Sequence, residues 1–223
     1  MKNRYLVYCS VKWLDNKKIK LGKNYKFFYK KSELNQKNLK KFNPKYIYFP
    51  HWRYKIPKKI IRDYFCIIFH TSPLPFGRGG SPIQNLIKRG YNNSPIFALK
   101  ASEKIDAGKI ISKEEISLSG NLDQIFLRMS DKTYIMIKKI EKMKKVNLKN
   151  QKGKIGIFKR LKLKDNEIKE MKIKEIYNKI RMLDSKYYSK AFIKYKKLNI
   201  FFSNSKIYKN KIYCNSIIEK SKN

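Results

Sequence analysis

Four short apolar runs, "RYLVYCS" (4–10), "YKFFYK" (25–30), "YIYFP" (46–50) and "CIIFH" (66–70), constrain this chain more than any other feature of its sequence. None alternates cleanly between apolar and polar residues, which is the pattern of strands covered on both faces. Two of the intervals between them read as helices. "SELNQKNLKKFNP" starts on a capping serine and stops at a proline, and "KIPKKIIRDYF" places Pro57 in a first turn, where a missing N–H costs nothing. A parallel strand can be reached only by a crossover, so strands alternating with helices make βαβ units. The first interval, "VKWLDNKKIKLGKN", leaves room only for a short or degenerate crossover. The fold class is therefore α/β, a Rossmann-like, mostly parallel sheet flanked by helices.

Further along, "SPIQNLIKRG" reads as a helix closed by Gly90, followed by a strand over 95–102, the loop "EKIDAGK" and the strand "IISKEEISL". Leu122, Ile125, Phe126 and Met129 recur at helical spacing, and Asn121 with Gln124 forms the pair that a capping box requires. Residues 151–168 are a turn-rich connector, "IKEIYNKIRML" is another helix, and "KLNIFFSNSKIY" with "NKIYCNSII" is a terminal hairpin. The chain divides into a main domain, 1–150, and an extension, 151–223, of linker, helix and small β element.

Charge enters because 55 Lys and Arg stand against 16 Asp and Glu, a net charge of +39. Such a field attracts nucleic acid, nucleotides or anionic surfaces. The lysines are spread from end to end, alongside abundant Asn, Ile, Tyr and Phe, as in proteins of A/T-biased genomes, so charge alone marks no binding patch. A 42% hydrophobic fraction suffices for a core and excludes a disordered chain. No apolar run approaches the roughly 18 residues of a membrane span, and the N-terminus lacks the pattern of a signal peptide. A soluble, cytoplasmic protein with no membrane partner is expected. Cys9, Cys66 and Cys214, odd in number and without a CxxC, give neither a disulfide framework nor a zinc site, and no metal is expected.

The chain has two histidines, His51 and His70, and both end predicted strands. In parallel α/β sheets that edge is where ligands bind. His70 opens the stretch "HTSPLPFGRGGSPIQ", whose prolines hold the loop in one conformation, as a positioned acid or base requires. Asp106, in "KIDAGKI", lies in a second turn; a carboxylate beside an imidazole fixes its tautomer, although Asp-Ala-Gly is also an ordinary turn. Arg78 and Gly79 precede a helix, where a guanidinium and free N–H groups can meet an anion.

Together, H-x-S-x-L-P-x-x-R-G-x-x-P-I-Q (His70, Ser72, Leu74, Pro75, Arg78, Gly79, Pro82, Ile83, Gln84) and D-A-G (Asp106, Ala107, Gly108) resemble the signature of the folate-dependent formyltransferases. That family includes methionyl-tRNA, glycinamide ribonucleotide and sugar N-formyltransferases. The resemblance implies N10-formyltetrahydrofolate as co-substrate and an amine as acceptor. It implies that His70 stabilises developing oxyanion charge or moves protons, and that Asp106 orients His70 and helps deprotonate the amine. Leu74, Pro75, Arg78 and Gly79 would contact the folate, while Trp52 and Tyr54 would stack on its pterin. One position departs from the pattern: the family's asparagine two residues before the histidine is here Ile68, which offers no hydrogen bond. His51 is expected to take over as the missing donor.

The resemblance also bears on the acceptor. Only about sixty residues follow the connector, and "YFPHW…IP" looks like the sugar branch that serves nonulosonic-acid and surface-polysaccharide pathways. The acceptor expected is an amino sugar carried as a nucleotide sugar. The alternatives are a methionyl-tRNA formyltransferase-like enzyme acting on aminoacyl-tRNA, and a decayed relative that only binds folate or nucleotide. The apolar "NIFFSN" offers an edge for a homodimer.

Overall fold

A computed structural model describes residues 3–221. In chain order, β1 (Tyr5–Tyr8) leads through a 3-10 turn and the single-turn α1 (Lys18–Leu21) to β2 (Tyr25–Phe28), then α2 (Gln36–Phe42) to β3 (Tyr46–Pro50), then α3 (Lys58–Asp63) to β4 (Cys66–Thr71). Next come β5 (Arg78–Gly79), α4 (Pro82–Lys88), β6 (Asn93–Lys100), β7 (Ile110–Ser117) and α5 (Leu122–Lys142). The chain ends with β8 (Ile157–Phe158), α6 (Ile173–Arg181), β9 (Ala191–Tyr195), β10 (Leu198–Tyr208) and β11 (Lys211–Lys220).

The main sheet has six strands in the order β2-β1-β3-β4-β6-β7. The first four are parallel and the last two antiparallel. All four apolar runs are strands of its parallel part, and every residue of β1 and β3 is buried. Two cores explain why alternation is missing. Val7, Tyr48 and Ile67 pack on one face with Ile83 and Leu86 of α4 and Ile125 of α5. Leu6, Ile47 and Phe49 pack on the other with Leu39 of α2 and Ile60 of α3.

Two helices are capped by asparagine side chains, while Pro57, expected in a first turn, stands at the N-cap of α3. The Asn121 side chain accepts from the Gln124 N–H at 3.0 Å, and the Gln124 side chain accepts from the Asn121 N–H at 3.1 Å, closing the capping box of α5. For α2 the cap is Asn35, not Ser32, because residues 31–33 wind into a preceding 3-10 turn.

The second half holds two features that its composition does not announce. The connector contributes β8, which pairs in parallel with β5. The terminal hairpin is one edge longer than expected: β9 joins it in a three-stranded antiparallel sheet, order β11-β10-β9. This sheet is tied to the body through buried Asp184, whose carboxylate takes Lys190 Nζ at 2.6 Å and the Asn204 N–H at 2.9 Å and accepts Asn121 Nδ2 of the main domain at 3.5 Å. Arg181 donates to the carbonyls of Leu118 and Gly120, at 2.5 and 3.0 Å, from the opposite side of that junction. Cys9 and Cys66 are buried, and desolvation pushes both thiols up to about 12. Among the described residues, no helix is long and apolar enough to cross a membrane.

Candidate active site

The carboxyl ends of β3 and β4 open into a cavity of about 740 Å³, within the range of sites for drug-sized ligands. His70, at the end of β4, is 6% exposed on its wall. Its Nδ1 lies 3.3 Å from Asp106 Oδ2, and its Nε2 lies 2.8 Å from the Gly77 carbonyl oxygen. Both ring nitrogens therefore face oxygen atoms. The same Oδ2 accepts the Gly79 N–H at 2.9 Å. Asp106 Oδ1 has no hydrogen-bond partner among the described residues, although Asp106 lines the cavity.

Two glycines explain how the loops reach this geometry. A side chain at Gly108 would place its Cβ 1.7 Å from the Lys100 carbonyl oxygen, so the D-A-G turn can lie against β6 only with glycine there. Gly79, at φ 106°, would push a Cβ to 2.5 Å from the Phe158 carbonyl oxygen. The R-G turn is thus pressed beneath the strand β8, and its N–H is left pointing at Asp106.

His51 lines the same cavity, in the left-handed region at φ 55°. Its ring packs edge-on against Phe126 and Trp13, with centroids 5.3 and 6.2 Å away, and its Nε2 lies 3.2 Å from the Tyr188 hydroxyl. Desolvation in this aromatic nest, with Arg53 and Arg160 nearby, holds the imidazole down at about 3. His51 is thus a neutral donor or acceptor near pH 7, and its polar partner is Tyr188 rather than the His70–Asp106 pair.

The remaining candidate residues divide into two groups. Trp52, Tyr54 and Gly79 line the cavity. The Trp52 ring meets Tyr54 edge-on at 5.1 Å and backs onto Tyr8 and Phe49, and its buried Nε1 has no partner. Leu74, Pro75 and Arg78, expected to contact folate, do not form part of the wall. Leu74 is buried among Phe97 and Leu99, and Pro75 is covered by the connector, its carbonyl accepting the Gly156 N–H at 3.2 Å. The Arg78 guanidinium is bound to Gln151 Oε1 instead of facing an anion, at 3.1 Å from Nε and 2.7 Å from Nη2. Adjacent strand residues point to opposite sides, so the pairing of β5 that puts Gly79 on the cavity turns Arg78 away from it.

Ile68 stands on the cavity wall, confirming that an apolar side chain occupies the departing position. Near it, Thr71 also lines the cavity with a buried Oγ1 that has no partner. Sequence reasoning did not single out Thr71, nor Gln151, Phe158, Arg160 and Tyr188, which surround the site from the connector and beyond α6. Apart from Thr71, which ends β4, these residues follow no periodicity and flank no strand end of the main sheet, so no local pattern marked them.

The His70–Asp106 pair thus stands at the edge of an α/β sheet where folds of this class bind their ligands. Residues 15–134 match the family described as "Formyl transferase", and residues 158–219 match "Methionyl-tRNA formyltransferase, C-terminal domain". The chain belongs to the formyl transferase family.

Among solved structures, "Methionyl-tRNA formyltransferase from Clostridium thermocellum" is similar over 99% of this chain and 100% of its own, at 36% identity and a TM-score of 0.93. Among curated proteins, the methionyl-tRNA formyltransferase of Malacoplasma penetrans is 28% identical over 83% of this chain and 61% of its own length. The chain thus spans less than two thirds of that relative. A "4-N formyltransferase from Francisella tularensis" shares the fold at 16% identity and a TM-score of 0.62, over 99% of this chain and 98% of its own. The short tail that pointed to a sugar acceptor does not separate the branches, since residues 158–219 match a C-terminal domain named for the tRNA branch.

Proposed function

We propose that this protein transfers a formyl group from N10-formyltetrahydrofolate to the amine of an aminoacyl-tRNA, methionyl-tRNA foremost. The observation that carries this reading is the match of 158–219 to the methionyl-tRNA formyltransferase C-terminal domain, in a chain whose His70 and Asp106 are paired on the wall of the cavity. It favours tRNA over the amino-sugar acceptor, for which the solved sugar formyltransferases supply only a shared fold.

The residues present suit a folate. The cavity has the volume for one, an apolar wall at Ile68 and Trp52, and two buried polar atoms without partners, Trp52 Nε1 and Thr71 Oγ1. The folate supplies the formyl carbon. An ammonium is not a nucleophile, so the acceptor must first lose a proton, and Asp106 Oδ1 is the carboxylate oxygen left free to take it. His70 Nε2–H, resting on the Gly77 carbonyl, is the donor that an oxygen gaining negative charge can share. Asp106 Oδ2, 3.3 Å from Nδ1, holds the orientation of the ring while this happens. The unpaired Thr71 hydroxyl is the donor available on the wall where Ile68 offers none, since His51 Nε2 is already engaged by Tyr188.

Purified protein incubated with N10-formyltetrahydrofolate and methionyl-tRNA should yield methionine one formyl group heavier, and Asp106→Asn should lower the rate by about 100-fold or more. Formylation of 4-amino nucleotide sugars without any tRNA product would return the acceptor to the sugar class. Folate binding without product on either panel would mark a decayed relative.

A further inference from the structure

Gln151 belongs to no helix or strand and lies at the start of the connector, yet its side-chain amide is fully engaged. Nε2 donates to the carbonyls of Asp106 at 2.8 Å and Gly108 at 2.9 Å. Oε1 accepts from Arg78 Nε at 3.1 Å and Nη2 at 2.7 Å. Two donors and two acceptor sites are thereby filled, which is the whole capacity of the amide. The bonds join two loops that are distant in the chain. One is the D-A-G turn carrying Asp106; the other is the R-G turn whose Gly79 N–H orients Asp106 Oδ2. Asp106 sits at φ 50°, a conformation that a residue with a side chain keeps only when its surroundings hold it there. Gln151 grips the carbonyl of that residue. Neither the Gln151 nor the Arg78 side chain lines the cavity, so neither is placed to touch a substrate.

We propose that Gln151 is a positioning residue: clamped by Arg78, it holds the Asp106 turn so that the carboxylate meets His70 Nδ1. This rests on the formyl-transfer reading above, because the pair it positions is the one assigned the proton chemistry. A merely structural glutamine would change stability when replaced and leave the turnover of the folded protein alone. A positioning glutamine changes kcat, since displacing a catalytic group by a fraction of an ångström weakens every proton transfer it makes.

The test uses Gln151→Met, which keeps the length of the side chain and removes all four bonds, and Arg78→Met, which frees only the Oε1 side. Gln151→Met should lower kcat about tenfold to a hundredfold, with KM for both substrates within about twofold of the parent value. Arg78→Met should give a smaller loss in the same direction. A readout independent of substrate is available because the chain has only two histidines. In a His51→Gln background, the His70 imidazole signals stand alone in a proton–nitrogen spectrum. The Nδ1–H resonance, protected by Asp106 in the parent, should broaden or vanish in Gln151→Met. An unchanged kcat per folded molecule would overturn the proposal, as would a retained Nδ1–H signal alongside a lowered melting temperature. Should the parent formylate no acceptor at all, the functional reading fails by itself, and the imidazole spectrum still decides whether Gln151 holds the pair.

Discussion

At the scale of single residues, the two histidines divide their work by environment. His70 is surrounded by acceptors, the Gly77 carbonyl and Asp106 Oδ2, while His51 is enclosed by Phe126, Trp13 and Tyr188 with Arg53 and Arg160 beyond. This contrast has a consequence for stability. The folded His51 is held at about 3, below the ordinary imidazole value of 6.5. Between those two pH values the unfolded chain binds a proton that the folded chain refuses, so stability rises with pH through that window and falls on acidification. The slope from this one group is at most about 1.4 kcal/mol per pH unit. Denaturant titrations at pH 7 and pH 5 should show the parent losing more stability than His51→Gln, and equal losses would show that His51 is freely protonated in the folded protein. The sequence made His51 visible by its place after an apolar run. It could not show the ring's partners, because Tyr188 and Arg160 come from far along the chain.

At the scale of elements, the main sheet was legible because burial on both faces leaves continuous apolar runs, and the helices between them carry their own punctuation. Asn121 and Gln124 were read as a cap from spacing alone and bond as one. The pairing of β5 with β8 was not legible, since each strand is two residues long and one of them contains a glycine. Yet this strap fixes the loop that carries Gly77 and Gly79. Phe158 is 3% exposed, sits edge-on to Phe76 at 5.2 Å, and lies under the Arg89 guanidinium 4.6 Å from its ring centroid. A Cβ at Gly77 would fall 2.7 Å from the same ring, which shows how closely the loop is packed beneath it. Phe158→Ala should cost about 3–5 kcal/mol, from lost burial and the cavity left behind. It should also lower kcat at temperatures where the variant stays folded, because the Gly77 carbonyl that holds His70 Nε2 is released. A cost near zero in a denaturant titration, with activity retained, would mean that the strap is dispensable and the loop stands by itself.

At the scale of the whole molecule, the open matter is what the charge of +39 is for. The lysines run the length of the chain, so the sequence could not separate drift in composition from a built surface. The structure places basic side chains around the cavity, Arg53, Lys55, Lys58 and Arg160 among them, and also on the C-terminal sheet, where Lys194, Lys206 and Lys211 are exposed beside Tyr208 and Tyr213. Lys58 is partly neutralised by Glu103 at 2.8 Å; the others have no such pair among the described residues. If these residues meet a phosphate backbone, each contact releases counterions, and affinity falls steeply as salt rises. Six such contacts would weaken tRNA binding by about 1000-fold between 50 and 200 mM salt. A folate carries far fewer charges than a tRNA backbone, so it releases fewer counterions and its KM should move much less over the same range. Measuring both KM values across a salt series therefore separates the two origins of the charge. A steep slope for tRNA alone identifies a surface used for binding, whereas equal, shallow slopes for both substrates would make the excess of lysine a property of composition with no part in choosing the acceptor.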